Sequence, residues 1–174
     1  SLLLLSARAA YLNLLYSKWL EVDGDRVNYD FSDYNLSFIT QLNAHHVLKW
    51  EAYWGYDHVK LTQADHGLNA RLRWNNTMAA LHWYSKWGNV SSEQMLYYSR
   101  YANRVGVNEL SFEVGMRSWI YDLGYKGDVK WGNLKGGLEV VRHEFQPQKI
   151  SLEGEFANDI PFQPTQSSVE ASAY

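Results

Sequence analysis

The chain has no cysteine, which excludes disulfides and thiolate metal sites together. It has no run approaching the ~18 consecutive apolar residues of a membrane-crossing helix. Proline is scarce, with 3 in 174 residues. All of them fall between Gln146 and Gln166, where they exclude a central strand and mark a long loop. An excess of positive charge is missing too: 16 Lys and Arg stand against 19 Asp and Glu, for a net charge of −3. The basic stripe expected of a nucleic-acid partner is therefore absent. What the chain does have is rings. Its 13 Tyr, 8 Trp and 6 Phe coexist with a mean hydropathy of −0.42, a combination that alternating strands produce.

The stretch Ser118 to Pro147 shows this alternation most clearly. Trp119, Tyr121, Leu123, Tyr125, Gly127, Val129 and Trp131 fall on one face of a strand, and Asp122, Lys126, Asp128 and Lys130 fall on the other. A two-residue turn at Gly132-Asn133 pairs Trp131 with Leu134, Val129 with Gly136, Gly127 with Leu138 and Tyr125 with Val140. The opposite face pairs Lys126 with Glu139. The strand is longer than the usual ~5–6 residues. Length with aromatic ends suits a membrane barrel, in which ~9–11 tilted residues cross the hydrocarbon between aromatic girdles. A soluble sheet with one face on a core is the competing reading.

The same pattern recurs along the chain. Ser1 to Arg8 reads as a strand, and Arg8 to Leu15 takes on a helical spacing. Glu21 to Asp25 is a turn without the further ligands of a calcium loop. Tyr34, Leu36, Phe38, Thr40 and Leu42 alternate with neighbours that are polar apart from Ile39, and Leu48, Trp50, Ala52, Trp54 and Tyr56 alternate with Lys49, Glu51, Tyr53 and Asp57. Leu68, Ala70, Leu72 and Trp74 lead to Asn75-Asn76, a tight turn that pairs Leu72 with Ala79 and Ala70 with Leu81. Met95 to Tyr98 is apolar on both faces. Short connections at 43–45, 88–90 and 132–133 alternate with long ones at 9–28, 102–116 and 147–167, as periplasmic turns alternate with outer loops in bacterial barrels. The count is eight legs if 46–74 is one leg broken at 58–66. The expected fold is thus all-β, an antiparallel transmembrane β-barrel segment of about eight strands of a larger barrel. Leu36, Phe38, Leu48, Trp50, Trp119, Tyr125, Val129 and Leu138 would face lipid, and Asn35, Lys49, Arg71, Lys126 and Glu139 the lumen. Both termini stop within alternating or apolar runs, so the chain reads as a fragment of something longer.

No catalytic constellation accompanies this pattern. His45, His46, His58, His66, His82 and His143 show neither the helical i, i+4 pair of a zinc hydrolase nor a Cys/His framework. Glu153 and Glu155 share a face without showing the cleft a glycosidase needs. The expected catalytic, cofactor-binding and metal residues are therefore none. Trp50, Trp54, Trp74, Trp83, Trp119 and Trp131 lie on apolar strand faces near strand ends, as girdle residues do. In a carbohydrate-binding β-sandwich module, the alternative, they would stack on sugar rings.

Several stretches resemble TonB-dependent outer-membrane receptors of the Bacteroidetes type, which carry a carboxypeptidase-like regulatory domain before the plug. Leu5 to Leu15 is similar to the L-S-A-R-R-T-Y-L-D-L-L of those barrels, with Ala9 in place of an Arg. Trp74 to Trp83 is similar to W-G-N-T-L-A-S-L-R-W, and Leu96 to Tyr101 to L-x-Y-S-R-Y. Tyr121 to Val129, with Leu134 to Gly137 and His143 to Pro147 after it, resembles the family's D-Y-G-L-K-A-D-F hairpin with K-F-G-G and H-x-F-x-P, though Gly132-Asn133 is a shorter turn than usual. The residues from Ser167 to Tyr174 resemble the start of the next descending strand. The resemblance implies active import of a large or scarce nutrient (glycan, peptide, siderophore or similar) across the cell outer membrane, without enzymatic activity. It implies as partners outer-membrane lipid, the remaining strands and plug of the same receptor, and periplasmic TonB. It also allows a surface lipoprotein. No plug domain or TonB box stands in these residues, and a passive porin-like barrel is the alternative within the same fold.

Overall fold

The computed structural model describes residues 1–10, 21–22, 25–63, 67–109, 112–154 and 164–174. They form one antiparallel sheet of nine strands: β1 (Leu2–Ala9), β2 (Glu21–Val22), β3 (Asp25–Gln41), β4 (His46–Gln63), β5 (Leu68–Trp87), β6 (Val90–Glu109), β7 (Phe112–Trp131), β8 (Leu134–Gly154) and β9 (Gln166–Ala173). The spatial order is β1-β3-β4-β5-β6-β7-β8-β9, with the short β2 paired to β3 alone. Eight legs therefore stand side by side as a meander, and among the described residues β1 and β9 each pair on one side only. Ladder pairing satisfies the backbone along every interior leg.

The central hairpin has the register its residues predict: Trp131 opposite Leu134, Val129 opposite Gly136, Gly127 opposite Leu138 and Lys126 opposite Glu139. Gly132 and Gly88 open the two-residue turns at positive φ, 58° and 55°, a conformation that glycine adopts without a Cβ penalty. The third turn on this end is held by Asn43, whose side chain accepts from the His45 amide at 2.8 Å, and by the Leu42 amide donating to the His46 carbonyl at 2.9 Å.

Cross-strand register sorts the side chains into two faces. On the outer face, one row runs Leu3, Phe38, Trp50, Leu81, Leu96, Tyr125, Val140 and Ala171. The next runs Leu5, Leu36, Ala52, Ala79, Tyr98, Leu123, Arg142 and Val169. Rings border this apolar band at both ends. Towards the turns stand Trp83, Trp87 and Trp131, with Trp83 Nε1 donating to His46 Nδ1 at 3.1 Å. Towards the other end, Trp54 stacks on Tyr56 and Trp119 on Tyr121, at centroid distances of 6.1 and 5.3 Å. From Trp119 to Trp131, at ~3.3 Å per residue and ~45° tilt, the wall rises roughly 30 Å, the thickness of the hydrocarbon layer. Among the described residues no hydrophobic side chain is buried, and Leu5 (69%), Trp50 (54%) and Leu96 (51%) are widely exposed. A soluble sheet would cover such a face with a second layer; this one is the wall of a transmembrane β-barrel segment.

Four expectations need correction. Asn75-Asn76 is not a turn, because β5 runs unbroken through it, with Asn75 opposite Tyr56 and Ala102. Asn75 reconciles its amide with a strand by donating to the Gly55 carbonyl at 3.0 Å, and the reversal lies between Gln63 and Leu68, where Gly67 has φ 64°. Leu72 therefore pairs with Val59 and Val105, not with Ala79. As a result the phase of β5 differs from the sequence reading, placing Arg71 on the outer face and Trp74 on the inner one. The stretch 102–116 is no loop, since β6 reaches Glu109 and Glu109 pairs with Phe112. Pro147 does not end its strand: Trp119 pairs with Gln146 and Arg117 with Lys149, so Pro147 and Gln148 face Ser118 in a bulge, where a missing N–H costs no ladder bond. The helical spacing of residues 11–15 lies outside the described residues, and Arg8 and Ala9 belong to β1.

Arg100, Arg142 and Glu144 break the apolar pattern of the outer face; Arg142 and Glu144 pair with each other at 3.3 Å, while Tyr121 donates to Glu144. They stand in its upper part, from which a long side chain reaches the interface. At the middle of the band no such escape exists. Leu96→Arg is expected to weaken barrel assembly by ~2–4 kcal/mol, and Met95→Arg, one residue away on the inner face, by far less. Heat-modifiable electrophoretic mobility of the two variants of the whole barrel checks this, and equal losses would contradict the assignment of faces.

Candidate functional site

The residues able to meet a solute are those of the inner face, the positions that alternate with the apolar band. At membrane depth this wall is made of charge and hydroxyl groups in short ladders. Asp33 accepts from Arg8 at 2.7 Å and from the Tyr53 hydroxyl at 2.9 Å. Lys49 pairs with Glu51 at 2.9 Å, and His82 lies between Glu51 at 3.3 Å and Glu93 at 3.5 Å. Asp122 takes His143 Nδ1 at 2.7 Å and the Ser99 hydroxyl at 3.3 Å. Near the turns Asp128 pairs with Lys135 at 3.6 Å and accepts from the Tyr174 hydroxyl. Each link contributes little to stability, about 0–1 kcal/mol for a solvated ion pair. Collectively they leave a wall of both signs that water can wet.

Two luminal tyrosines lie flat because glycine permits it. A Cβ at Gly124 would stand 2.1 Å from Cζ of Tyr97, and one at Gly55 would stand 2.3 Å from the Tyr53 hydroxyl oxygen. The ring of Tyr97 thus crosses its neighbour strand and donates to Glu139 at 3.1 Å. This settles which face each residue of the apolar run takes: Met95 and Tyr97 point inward, Leu96 and Tyr98 outward. Between the ladders and the turns lies a recess of about 480 Å³ lined by Tyr84, Lys86, Glu93, Asp128, Lys130 and Lys135.

Beyond the girdle the polarity inverts. Val59, Leu72, Val105, Met116 and Ile150 form one inner-face row, and Leu61, Ala70, Val107, Val114 and Leu152 the next. The outer end of the wall is therefore apolar inside and polar outside, and a single-parity reading of the sequence misses it.

The histidines are dispersed: His46 among girdle rings, His58 beyond the girdle, and His82 and His143 beside carboxylates of the inner wall. Among the described residues no group of three His, Asp or Glu side chains could hold a metal ion. Trp50, Trp54, Trp83, Trp119 and Trp131 share the outer face, where they face away from any luminal solute. The side chains of Glu153, Glu155 and His66 lie outside the described residues.

No family model matches the chain, and no curated protein matches it in sequence. Among solved structures it is similar to the ferric yersiniabactin uptake receptor FyuA of Yersinia pestis, with a TM-score of 0.59 and 14% identity over 88% of this chain. The likeness is one of fold. The chain spans only 26% of that receptor's length, which fits a set of adjacent legs within a longer barrel wall.

The tyrosine–glycine crossings give a direct test of the inner wall. Gly124→Val is expected to displace Tyr97, break its bond to Glu139 and destabilise the whole barrel by about 1–3 kcal/mol. Urea unfolding in lipid vesicles measures this, and an unchanged midpoint would show that the ring does not lie across Gly124.

Proposed function

We propose that this chain is part of the wall of a TonB-dependent outer-membrane receptor that imports a nutrient too large or too scarce for a porin, and that it has no enzymatic activity. The observation that carries the reading is the coreless meander, with a membrane-thick apolar band outside and a charged, hydroxyl-rich wall inside. Such a wall separates lipid from an aqueous path. Two further facts support uptake over a structural role. The neighbour in fold is an uptake receptor by name, and the legs extend well past the band; β5, β6 and β7 have 20 residues each where ~9–11 cross the hydrocarbon. The extensions raise a mouth above the membrane, and its apolar inner lining suits a ligand with an apolar surface alongside polar groups.

The partners of this reading are outer-membrane lipid, the remaining strands and plug of the same receptor, periplasmic TonB and, as in some glycan importers, a surface lipoprotein over the mouth. The resemblance of Leu5 to Leu15, Trp74 to Trp83 and Tyr121 to Val129 to receptors of the Bacteroidetes type supports the regulatory-domain subgroup. Energised import is tested by following uptake of a nutrient that requires the whole protein, in cells with and without the TonB protein. Uptake is expected to collapse to background without TonB. Undiminished uptake would favour a passive porin-like barrel instead.

A further inference from the structure

Register brings an unusual set of side chains together on the outer face immediately beyond the girdle. Arg73 of β5 stands opposite Arg104 of β6, Arg104 opposite Arg117 of β7, and Arg117 opposite Lys149 of β8. His58 and Asp30 continue the row on the other side, and Arg71 and Lys60 stand one row farther out. Like charges directly opposite one another on a ladder repel. On the inner wall most charges have a partner, Lys86, Lys126 and Lys130 excepted; here the guanidiniums of Arg71, Arg73, Arg104 and Arg117 stand together with no hydrogen bond or ion pair among the described residues. His58 in this row is held below the usual imidazole range, by burial first and by Arg73 next.

The row also has shape. Below it, a groove of about 490 Å³ runs between the rings of Tyr56 and Trp119 over the small Asn75 and Ala102, with Arg73, Arg104 and Arg117 along its upper edge. Above it, a recess of about 240 Å³ lies among Arg71, Arg73, Arg104 and Arg117, where Gly106 leaves the backbone open and the Ser151 hydroxyl lies against Gly115; Glu113 shares its lining. The opposite end of the outer face has nothing similar: Trp87 and Val90, Trp131 and Leu134 carry apolar side chains up to the turns. The cations are thus confined to one membrane surface. Because the long-strand end is the one that faces outward in bacterial barrels, that surface is the outer leaflet.

We infer that the groove between Tyr56 and Trp119, with its Arg73–Arg104–Arg117 edge, seats a phosphorylated lipid of the outer leaflet, its phosphates on the guanidiniums and its sugar or glycerol body against the rings. Planar guanidinium forks match phosphate oxygens bidentately. The position selects the source of the phosphate: the outer side of a barrel wall at headgroup depth meets lipid, while a solute on the transport path meets the inner side. The inference rests on the membrane-barrel reading but not on what the barrel transports.

The test uses the whole barrel in detergent, titrated with fluorescent lipid A carrying its phosphates, with lipid A stripped of them, and with inorganic phosphate as competitor. Each basic residue near an anionic lipid surface is worth about five-fold. The Arg73→Gln, Arg104→Gln, Arg117→Gln triple variant is therefore expected to bind the phosphorylated lipid about a hundred-fold more weakly. The stripped lipid should bind wild type as weakly as the variant does, a comparison independent of whether the variant folds well. Equal binding of both lipids by wild type, or undiminished binding by a variant of normal heat-modifiable mobility, would overturn the inference. Inorganic phosphate that displaces the lipid at equal concentration would also overturn it, because the site would then select free phosphate and not a lipid.

Discussion

Every interior leg of this sheet satisfies its backbone by pairing with the next leg, while its apolar face is covered by no other part of the described chain. Those two facts constrain everything else. A sheet that leaves rows such as Phe38, Trp50, Leu81, Leu96 and Tyr125 uncovered must have an apolar solvent beside it, and in that solvent an unpaired backbone group costs several kcal/mol. Closure and lipid exposure therefore require each other. The free sides of β1 and β9 are where the remaining strands of the barrel must join.

With lipid on one side, the other features follow by position along the legs. Inside the band, most charges stand on the inner face, many of them paired in ladders, and the exceptions Arg100, Arg142 and Glu144 lie in its upper part. At the two borders, rings take the interface, where an amphipathic side chain is at home. Beyond the outer border the constraint is lifted, and the faces exchange character: arginines stand outside and aliphatic residues inside. The inversion needs no change of strand phase on β4 to β7. The same alternation simply carries different residues once the lipid no longer dictates which parity is apolar.

The hairpin of Trp119 to Val140 was fully legible, since face, turn length and the Lys126–Glu139 pair all specify one register. So were the three short turns and the number of legs, eight, but not the bounds of two of them: β4 ends at Gln63 where one leg was expected over 46–74 with a break at 58–66, and residues 68–74 belong to β5. The misplacements share a cause. Asn75-Asn76 carries turn chemistry, but its amide is satisfied by the neighbouring Gly55 carbonyl, a partner that exists only once β4 is alongside. Pro147 is tolerated because the bulge opposite Ser118 asks nothing of its missing N–H. Arg71 and Trp74 were assigned from the apolarity of Leu72, a rule that holds inside the band and reverses outside it. The row Arg73, Arg104, Arg117 was invisible for a different reason: its members lie far apart in sequence and meet only through two registers.

The central claim, that outer-face positions meet lipid and inner-face positions do not, is open to one direct measurement, and the absence of cysteine makes it clean. Spin labels placed singly by cysteine substitution at successive positions from Leu96 to Arg104 of the whole barrel in lipid vesicles report local access to oxygen, which concentrates in hydrocarbon, and to a polar nickel complex, which does not. The account predicts a two-residue oscillation, with oxygen access high at Leu96 and Tyr98 and low at Tyr97 and Ser99. At Arg104 it predicts access to the polar complex in place of oxygen. A flat profile, or oxygen access highest at Tyr97 and Ser99, would contradict it.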